Sequence, residues 1–271
     1  MIPSDSVRES LRTTFRTTIW EPFCRAMETY HLLAEGDRIA VCISGGKDSS
    51  LLALLMEVYT RESPVPFECV NLIMDPGYRP EIRSQVEENA RRLSLSCTLF
   101  ESDIFQVASS QTRNPCFLCA RMRRGCLYEK ARSLGCNKIA LGHHFDDVIE
   151  TTVMAMLYGA QLQAMPPILR ARNFPGMQLI RPLYQVHESS ILAWCRVNDL
   201  HFIRCACRLT ESSDSGRENS KRLEIKNLLK SLEEDFPGVR ERVFQAIHHL
   251  ETDSMVAVKQ GGITRTVLPE D

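Results

Sequence analysis

Apolar positions along the chain fall into blocks whose period switches between helix and strand. From Val7 to about Leu33, residues Leu11, Phe15, Ile19, Phe23 and Met27 recur at every fourth position. This predicts an amphipathic helical segment that Pro22 kinks or splits, ending at Glu35-Gly36-Asp37. Arg38-Ile39-Ala40-Val41-Cys42-Ile43 then reads as a short apolar strand, Ser44-Gly45-Gly46-Lys47-Asp48-Ser49 as a turn, and Ser50 to Met56 as a helix. The alternation repeats with Glu68 to Met74 as a second strand, Arg79 to Leu93 as a helix and Ser96 to Phe100 as a third strand. Residues 117–134 read as helical, Lys138-Ile139-Ala140-Leu141 as a fourth strand and Asp146 to Tyr158 as a further helix.

Strands separated by helical blocks imply βαβ units, so the fold class expected is α/β: a parallel sheet flanked by helices. In such sheets ligands bind beyond the carboxyl ends of the strands. Residues 159–186, with Pro166-Pro167, Pro175-Gly176 and Pro182, read as loops around one short strand, Gln178-Leu179-Ile180. Helical periodicity returns over Glu188–Asn198, and 218–250 reads as two helices broken at Phe236-Pro237-Gly238, while 209–217 is the most loop-like stretch. The expected organisation is an N-terminal helical segment over 1–36, a nucleotide-binding α/β domain over 37–186 and a C-terminal helical region over 187–271.

Composition narrows the class. The 271 residues are 44% apolar, enough for a sizeable core, and 33 Lys+Arg against 34 Asp+Glu give no bulk charge that would draw a polyanion; only a local patch can do so. Eleven cysteines, an odd number scattered through apolar runs, do not resemble the framework of a small disulfide-bonded domain and read as reduced thiols. The first residues lack the apolar core of a signal peptide, and no stretch approaches the roughly 18 apolar residues of a membrane span. A cytoplasmic protein with no membrane partner is expected.

Three motifs carry chemistry. Ser44-Gly45-Gly46-Lys47-Asp48-Ser49 joins a strand to a helix, where backbone amides and the helix N-terminus favour a phosphate. Its spacing is not that of a Walker A loop. Gly142-His143-His144-Phe145-Asp146-Asp147 follows the fourth strand, so it stands on the same sheet edge. Its histidines and carboxylates, with Glu150, suit a divalent cation or a reactive pocket, although first-turn carboxylates also simply favour a helix dipole. Pro115-Cys116-Phe117-Leu118-Cys119 is followed by Arg121, Arg123 and Arg124. The thiol pair suits zinc if Cys205-Ala206-Cys207 completes the set, a redox dithiol at a helix start, an iron–sulfur cluster, or no chemistry at all as inert thiols. The arginines are either a solvated helix face or a clamp for RNA or ATP phosphates, with Arg181 a weaker candidate of the same kind. The remaining cysteines lie within strands or beside helices, as small hydrophobes do.

The first motif resembles the S-G-G-x-D-S loop of the N-type ATP pyrophosphatases, the PP-loop superfamily. The whole series resembles the tRNA 2-thiocytidine synthetase (TtcA) family: C-x-x-C-A-R-M-R-R-G, K-I-A-L-G-H-H-F-D-D-V-I-E-T, M-L-Y-G, A-M-P-P, Ile180-Arg181-Pro182-Leu183 and Phe236-Pro237-Gly238. The likeness runs from about Ile39 to Leu250. It implies an adenine nucleotide alpha hydrolase-like fold that binds ATP and Mg²⁺ through Ser44, Gly45, Gly46, Lys47, Asp48, Ser49, Gly142 and His143. Lys47, Asp48, Asp146 and Asp147 would then serve catalysis. It further implies a [4Fe–4S] cluster on Cys116, Cys119 and Cys205. The family's P-C-x-x-C segment is here Ile203-Arg204-Cys205-Ala206-Cys207, shorter by one residue and without the proline, so Cys207 is a rival third ligand.

The implied activity is adenylation of the C2 carbonyl of a pyrimidine, an anticodon-loop cytidine first, followed by sulfur transfer. Its partners are tRNA and a sulfur donor, cysteine desulfurase-derived or free sulfide, and a homodimer is allowed. The alternatives from the residues are a sulfurtransferase acting on another pyrimidine or a small molecule, a PP-loop ligase, and a zinc-stabilised nucleotide-binding protein.

Overall fold

The structure, a computed structural model, describes residues 3–109, 115–203 and 221–268. The N-terminal segment forms helices α1 (Ser4–Arg12) and α2 (Glu21–Thr29), joined through a π-helical stretch at Arg16–Trp20, with Pro22 in the first turn of α2. All five positions of the every-fourth-residue series are buried. On a continuous α-helix, steps of four drift by about 40° each, so five such residues would wind off one face. The i to i+5 bond from Trp20 N–H to the Phe15 carbonyl absorbs that drift and keeps Ile19 and Phe23 on the core side.

Six strands form the main sheet: β1 (Asp37–Ile43), β2 (Phe67–Asp75), β3 (Cys97–Glu101), β4 (Lys138–Ala140), β5 (Ile168–Arg170) and β6 (Gln178–Ile180). Their order is β3-β2-β1-β4-β6-β5, parallel except for β5, which pairs antiparallel with β6 at the edge. The short edge strand β5 falls in a stretch the sequence assigns to loop. Around the sheet stand α3 (Lys47–Tyr59), α4 (Pro80–Arg92), α5 (Ile104–Ser109), α6 (Pro115–Ser133), α7 (Phe145–Gly159) and α8 (Glu188–Val197). β1 and β4 are buried almost throughout, as continuous apolar strands covered on both faces should be.

One cluster of buried side chains runs from Val7, Leu11 and Phe23 through Val41 and Leu55 to Ile191 and Trp194, so the N-terminal helices and α8 share the core of the sheet. The C-terminal helices α9 (Lys221–Asp235) and α10 (Val239–Ala246) break at Phe236-Pro237-Gly238, where Gly238 adopts φ +84°. α9 buries Ile225 and Leu229 against Phe145 and Ile149 of α7. The chain then departs from the helical expectation. Strands β7 (Ala257–Gln260) and β8 (Ile263–Thr266) form a hairpin whose turn residues Gly261 and Gly262 both have positive φ, as a primed two-residue turn requires. Among the described residues no helix is long and apolar enough to cross a membrane.

A buried ion pair ties the segments together. Lys138 Nζ donates to Asp37 Oδ2 at 2.5 Å and to the Leu32 carbonyl at 2.9 Å, while Asp37 also accepts from Ala34 N–H and Asn137 Nδ2, both at 2.7 Å. Both charged residues are under 5% exposed. Lys138→Met would strand the Asp37 carboxylate, and we expect it to lower unfolding free energy by about 3–5 kcal/mol, read as a lower urea midpoint with an unchanged slope.

Candidate functional site

Strand order brings the carboxyl ends of β1 and β4 side by side, with β2 beyond one and β6 beyond the other. The crevice where an open α/β sheet reverses direction is where such folds hold ligands. Val41 of β1 pairs with Ala140 of β4, so the turns that begin at Ser44 and Gly142 leave the sheet next to each other.

The first turn is folded by its own serines. Ser44 N–H donates to Ser49 Oγ at 3.1 Å, and the Ser49 hydroxyl donates to the Gly46 carbonyl at 3.1 Å. Gly45 holds φ +82°, and a Cβ there would stand 2.6 Å from Val86 and 2.8 Å from Ile203. Gly46, the N-cap of α3, has φ −83° and no side-chain cap, which leaves first-turn amides of α3 open to an anion. The second turn has a tighter constraint. A Cβ on Gly142 would lie 2.9 Å from Ser49 N and 3.0 Å from the Asp48 carbonyl carbon. The two motifs therefore touch backbone to backbone.

Between them opens a cavity of about 370 Å³. Its walls are Ser44, Asp48 and Ser49 of the first turn, Gly142, His143 and Asp147 of the second, and Arg123 and Arg124 of α6. α6 thus aims two of the three arginines that follow the thiol pair at the phosphate loop. Arg121 faces a neighbouring groove instead. Arg181 is buried, donates to the Pro166 carbonyl and is not in the cavity wall; burial first, and then Arg124, push its pKa down to about 10, so it stays cationic at neutral pH.

The charged groups divide by direction. Burial alone would lower the Lys47 pKa, but Asp48 and Glu188 more than offset it and the pKa is raised. Lys47 Nζ bonds Asp48 Oδ2 at 3.1 Å and Glu188 Oε1 at 3.2 Å. Asp48 Oδ1 lies 3.0 Å from Lys47 Nζ and 3.8 Å from His144 Nε2. Asp147 Oδ2 accepts from His144 N–H at 3.1 Å, and its Oδ1 takes a 2.7 Å bond from Arg222. Asp146 turns inward: 3% exposed, it accepts from Glu188 N–H at 2.7 Å and from Arg240. Burial lowers the His143 pKa to about 4, leaving a neutral imidazole at pH 7 whose Nδ1 has no hydrogen-bond partner. Burial raises Glu150 to about 7. No motif in the sequence singles out Glu188, Arg222, Lys226 or Arg240, which reach the site only through the packing of α8, α9 and α10.

The cysteines separate into two kinds. Burial pushes Cys42 and Cys69 up to about 12 and Cys97 and Cys195 up to about 11, as expected of inert core thiols. Cys119 is 6% exposed near the start of α6, four residues before Arg123 and eight before Leu127, both in the cavity wall. That spacing puts all three on one side of the helix. Cys116 lies one turn earlier on the α6 backbone, and its side chain falls outside the described residues, as do Cys205 and Cys207. Ile203 packs on Gly45. Among the described residues no three His, Cys, Asp or Glu groups converge to hold a metal ion.

A family model described as a PP-loop domain matches residues 18–211. A tRNA-cytidine(32) 2-sulfurtransferase from Citrifermentans bemidjiense is 35% identical over 245 residues, covering 89% of this chain and 92% of its own. The protein of the same name from Pelobacter propionicus is 37% identical over 232 residues, covering 83% of each. Among solved structures, the U34-tRNA thiolase NcsA from Methanococcus maripaludis with its [4Fe–4S] cluster aligns with a TM-score of 0.66 at 21% identity, over 88% of this chain and 81% of that one. That structural likeness extends to the fold.

Gly142→Ala should force the two turns apart at a cost of about 1–3 kcal/mol. Taken from nucleotide binding, this is roughly a 5- to 150-fold rise in the Kd for ATP by calorimetry, with the fold retained. Glu150→Gln tests the buried carboxyl. With a raised folded pKa, Glu150 adds stability below about pH 4.5 that is lost as pH rises toward 7, by about 3 kcal/mol at most. His143, lowered, acts in the opposite sense between about 6.5 and 4. The variant should therefore gain on the wild type steadily from pH 4.5 to 7 in urea unfolding.

Proposed function

The chain belongs to the PP-loop family, among the relatives of the tRNA-cytidine(32) 2-sulfurtransferases, and from that premise we propose that it is an ATP-dependent sulfurtransferase that thiolates C2 of a cytidine in the anticodon loop of tRNA. The observation that carries the reading is the single cavity walled by the phosphate loop, the Gly142–Asp147 turn and the helix of the thiol pair. A ligase of the same fold would have no need of Cys116, Cys119 and Cys205.

ATP lies with its phosphates on the amides of Gly45 and Gly46 and the hydroxyl of Ser44, at the N-terminus of α3, with Ser49 folding the turn around them. Lys47, held between Asp48 and Glu188, is a fixed positive charge beside the phosphates. Such preorganised charge lowers the cost of negative charge that develops as pyrophosphate leaves. Asp48 and Asp147, both in the cavity wall, would hold Mg²⁺, which takes one or two carboxylates together with phosphate oxygens and neutralises them. Neutral His143 in the same wall offers a hydrogen bond to the base or nucleotide without adding charge. Asp146 acts as a positioning residue, fixing the start of α7 to α8 and α10.

The C2 oxygen of the cytosine attacks the α-phosphorus, the α–β bridging bond breaks, and pyrophosphate departs. The poor leaving oxygen is now part of an AMP ester. A sulfide nucleophile adds at C2 and AMP leaves, giving the thiocarbonyl after proton loss. Cys116 and Cys119 of α6, with Cys205 or Cys207, form a soft thiolate set of the kind that would hold a [4Fe–4S] group. When bound by three thiolates, that group supplies one iron open to a sulfide ligand. Its sulfide comes free or from a cysteine desulfurase. The target base must leave its stack to reach the cavity, which an anticodon loop permits more readily than a duplex.

Anaerobic incubation with tRNA, ATP, Mg²⁺ and sulfide, followed by nucleoside mass spectrometry, should yield 2-thiocytidine and tRNA-dependent pyrophosphate. Lys47→Ala and Asp48→Ala should each cut pyrophosphate release by about 100-fold or more while iron content stays at the wild-type level. A wild-type protein that forms no thiolated pyrimidine and no tRNA-dependent pyrophosphate would contradict the reading.

A further inference from the structure

On its other side α6 faces a second, larger hollow, a groove of about 1170 Å³ between this helix and the β5–β6 hairpin. Pockets for small molecules typically hold about 300–1,000 Å³. Arg121 and Arg124 line the groove from α6, Arg170 and Arg172 from the hairpin, and among the described residues no aspartate or glutamate contributes to the lining. All four arginines are exposed, and among the described residues none is paired with a carboxylate. Two facing rows of unpaired guanidinium groups match a phosphodiester strand.

Beneath the groove Tyr128, 4% exposed, and Phe174 stack at 5.0 Å with their planes 20° apart, and the Arg132 guanidinium lies 5.6 Å from the Phe174 ring centre, so these rings fasten α6 to the hairpin. The hairpin wall is fixed in place: Arg170 pairs with Gln178 across β5 and β6, and Arg181 N–H donates to the Pro167 carbonyl at 2.9 Å. This gives Arg181 a bracing task behind the groove. Arg124 lines both hollows and so stands between the groove and the phosphate-loop cavity.

We propose that the groove between α6 and the β5–β6 hairpin seats the single-stranded loop of the RNA substrate, phosphates on Arg121, Arg124, Arg170 and Arg172, with the reacting base passing Arg124 into the ATP cavity. The assignment rests on the thiolation reading and adds the surface that recognises the substrate. Arg170 and Arg172 lie outside the sequence motifs, three and five residues after A-M-P-P, on the edge strand and just after it.

The test compares full-length wild type, Arg170→Gln/Arg172→Gln and Arg170→Lys/Arg172→Lys, using an anticodon stem-loop RNA as probe over a salt series. Loss of two phosphate contacts on a single strand lowers the slope of log K against log salt by about 1.4. The glutamine variant should show that drop and bind at least about tenfold more weakly at physiological salt, with an unchanged unfolding midpoint, since both side chains are exposed. The lysine variant should keep the wild-type slope, because it keeps the charge. A glutamine variant with the wild-type slope overturns the groove and leaves the thiolation reading standing. Competition by polyglutamate or by a loopless RNA duplex as strong as by the stem-loop also overturns it, in favour of an acidic protein or a duplex. If wild type binds ATP but no RNA, the thiolation reading fails and the groove assignment fails with it.

Discussion

Gly142 lies against the backbone of Asp48 and Ser49 with no room for a side chain, and this contact sets the distance between two helix N-termini. α3 and α7 both start there, each with the partial positive charge of its first turn directed at one cavity. Neighbouring parallel strands alone would leave their loops about 5 Å apart with freedom to diverge. The absence of a Cβ closes that freedom. A nucleotide's phosphates and the base to be activated can then share one enclosure, as an in-line attack on the α-phosphorus demands.

Carboxylates crowded at such a place repel one another unless cations hold them, and the C-terminal helices supply those cations. Arg222 from α9 bonds Asp147, Lys226 bonds Glu188, and Arg240 from α10 bonds the buried Asp146. Glu188 in turn steadies Lys47. The second motif therefore splits between two tasks: Asp147 and His143 face the cavity, and Asp146 is a fastening for α8 and α10. Apolar packing of Ile225 and Leu229 on Phe145 and Ile149 keeps the clasp in register. The same α6 that closes the cavity with Arg123 and Arg124 presents Arg121 and Arg124 to the groove behind, so one helix borders both hollows.

Much of this was legible in the residues because it depends on local rules. Apolar runs marked β1, β2 and β4, and Gln178–Ile180 was bounded as β6 by its prolines and glycine. The phosphate turn is a strand–glycine–helix junction, visible without any tertiary knowledge. What escaped depends on partners distant in sequence. β5 has three residues and gains strand geometry only by pairing with β6. The π-helical stretch answers a packing demand on Phe15 to Phe23 rather than a propensity. The C-terminal hairpin hides in a region dominated by two helices. Arg170, Arg172, Arg222 and Arg240 carry no spacing signal, since each acquires its role from an element more than 30 residues away. Asp146 and Asp147 read alike in sequence, and only packing tells the inward carboxylate from the one in the cavity.

The central claim is that one enclosure brings the C2 oxygen of a base to the α-phosphorus of ATP. The most direct measurement uses RNA carrying ¹⁸O at C2 of the target cytidine in a single turnover with ATP and sulfide, followed by mass spectrometry of the nucleotide products. The account predicts ¹⁸O in AMP, one atom for each thiolated base. Unlabelled AMP accompanying formation of the thiolated base would contradict it.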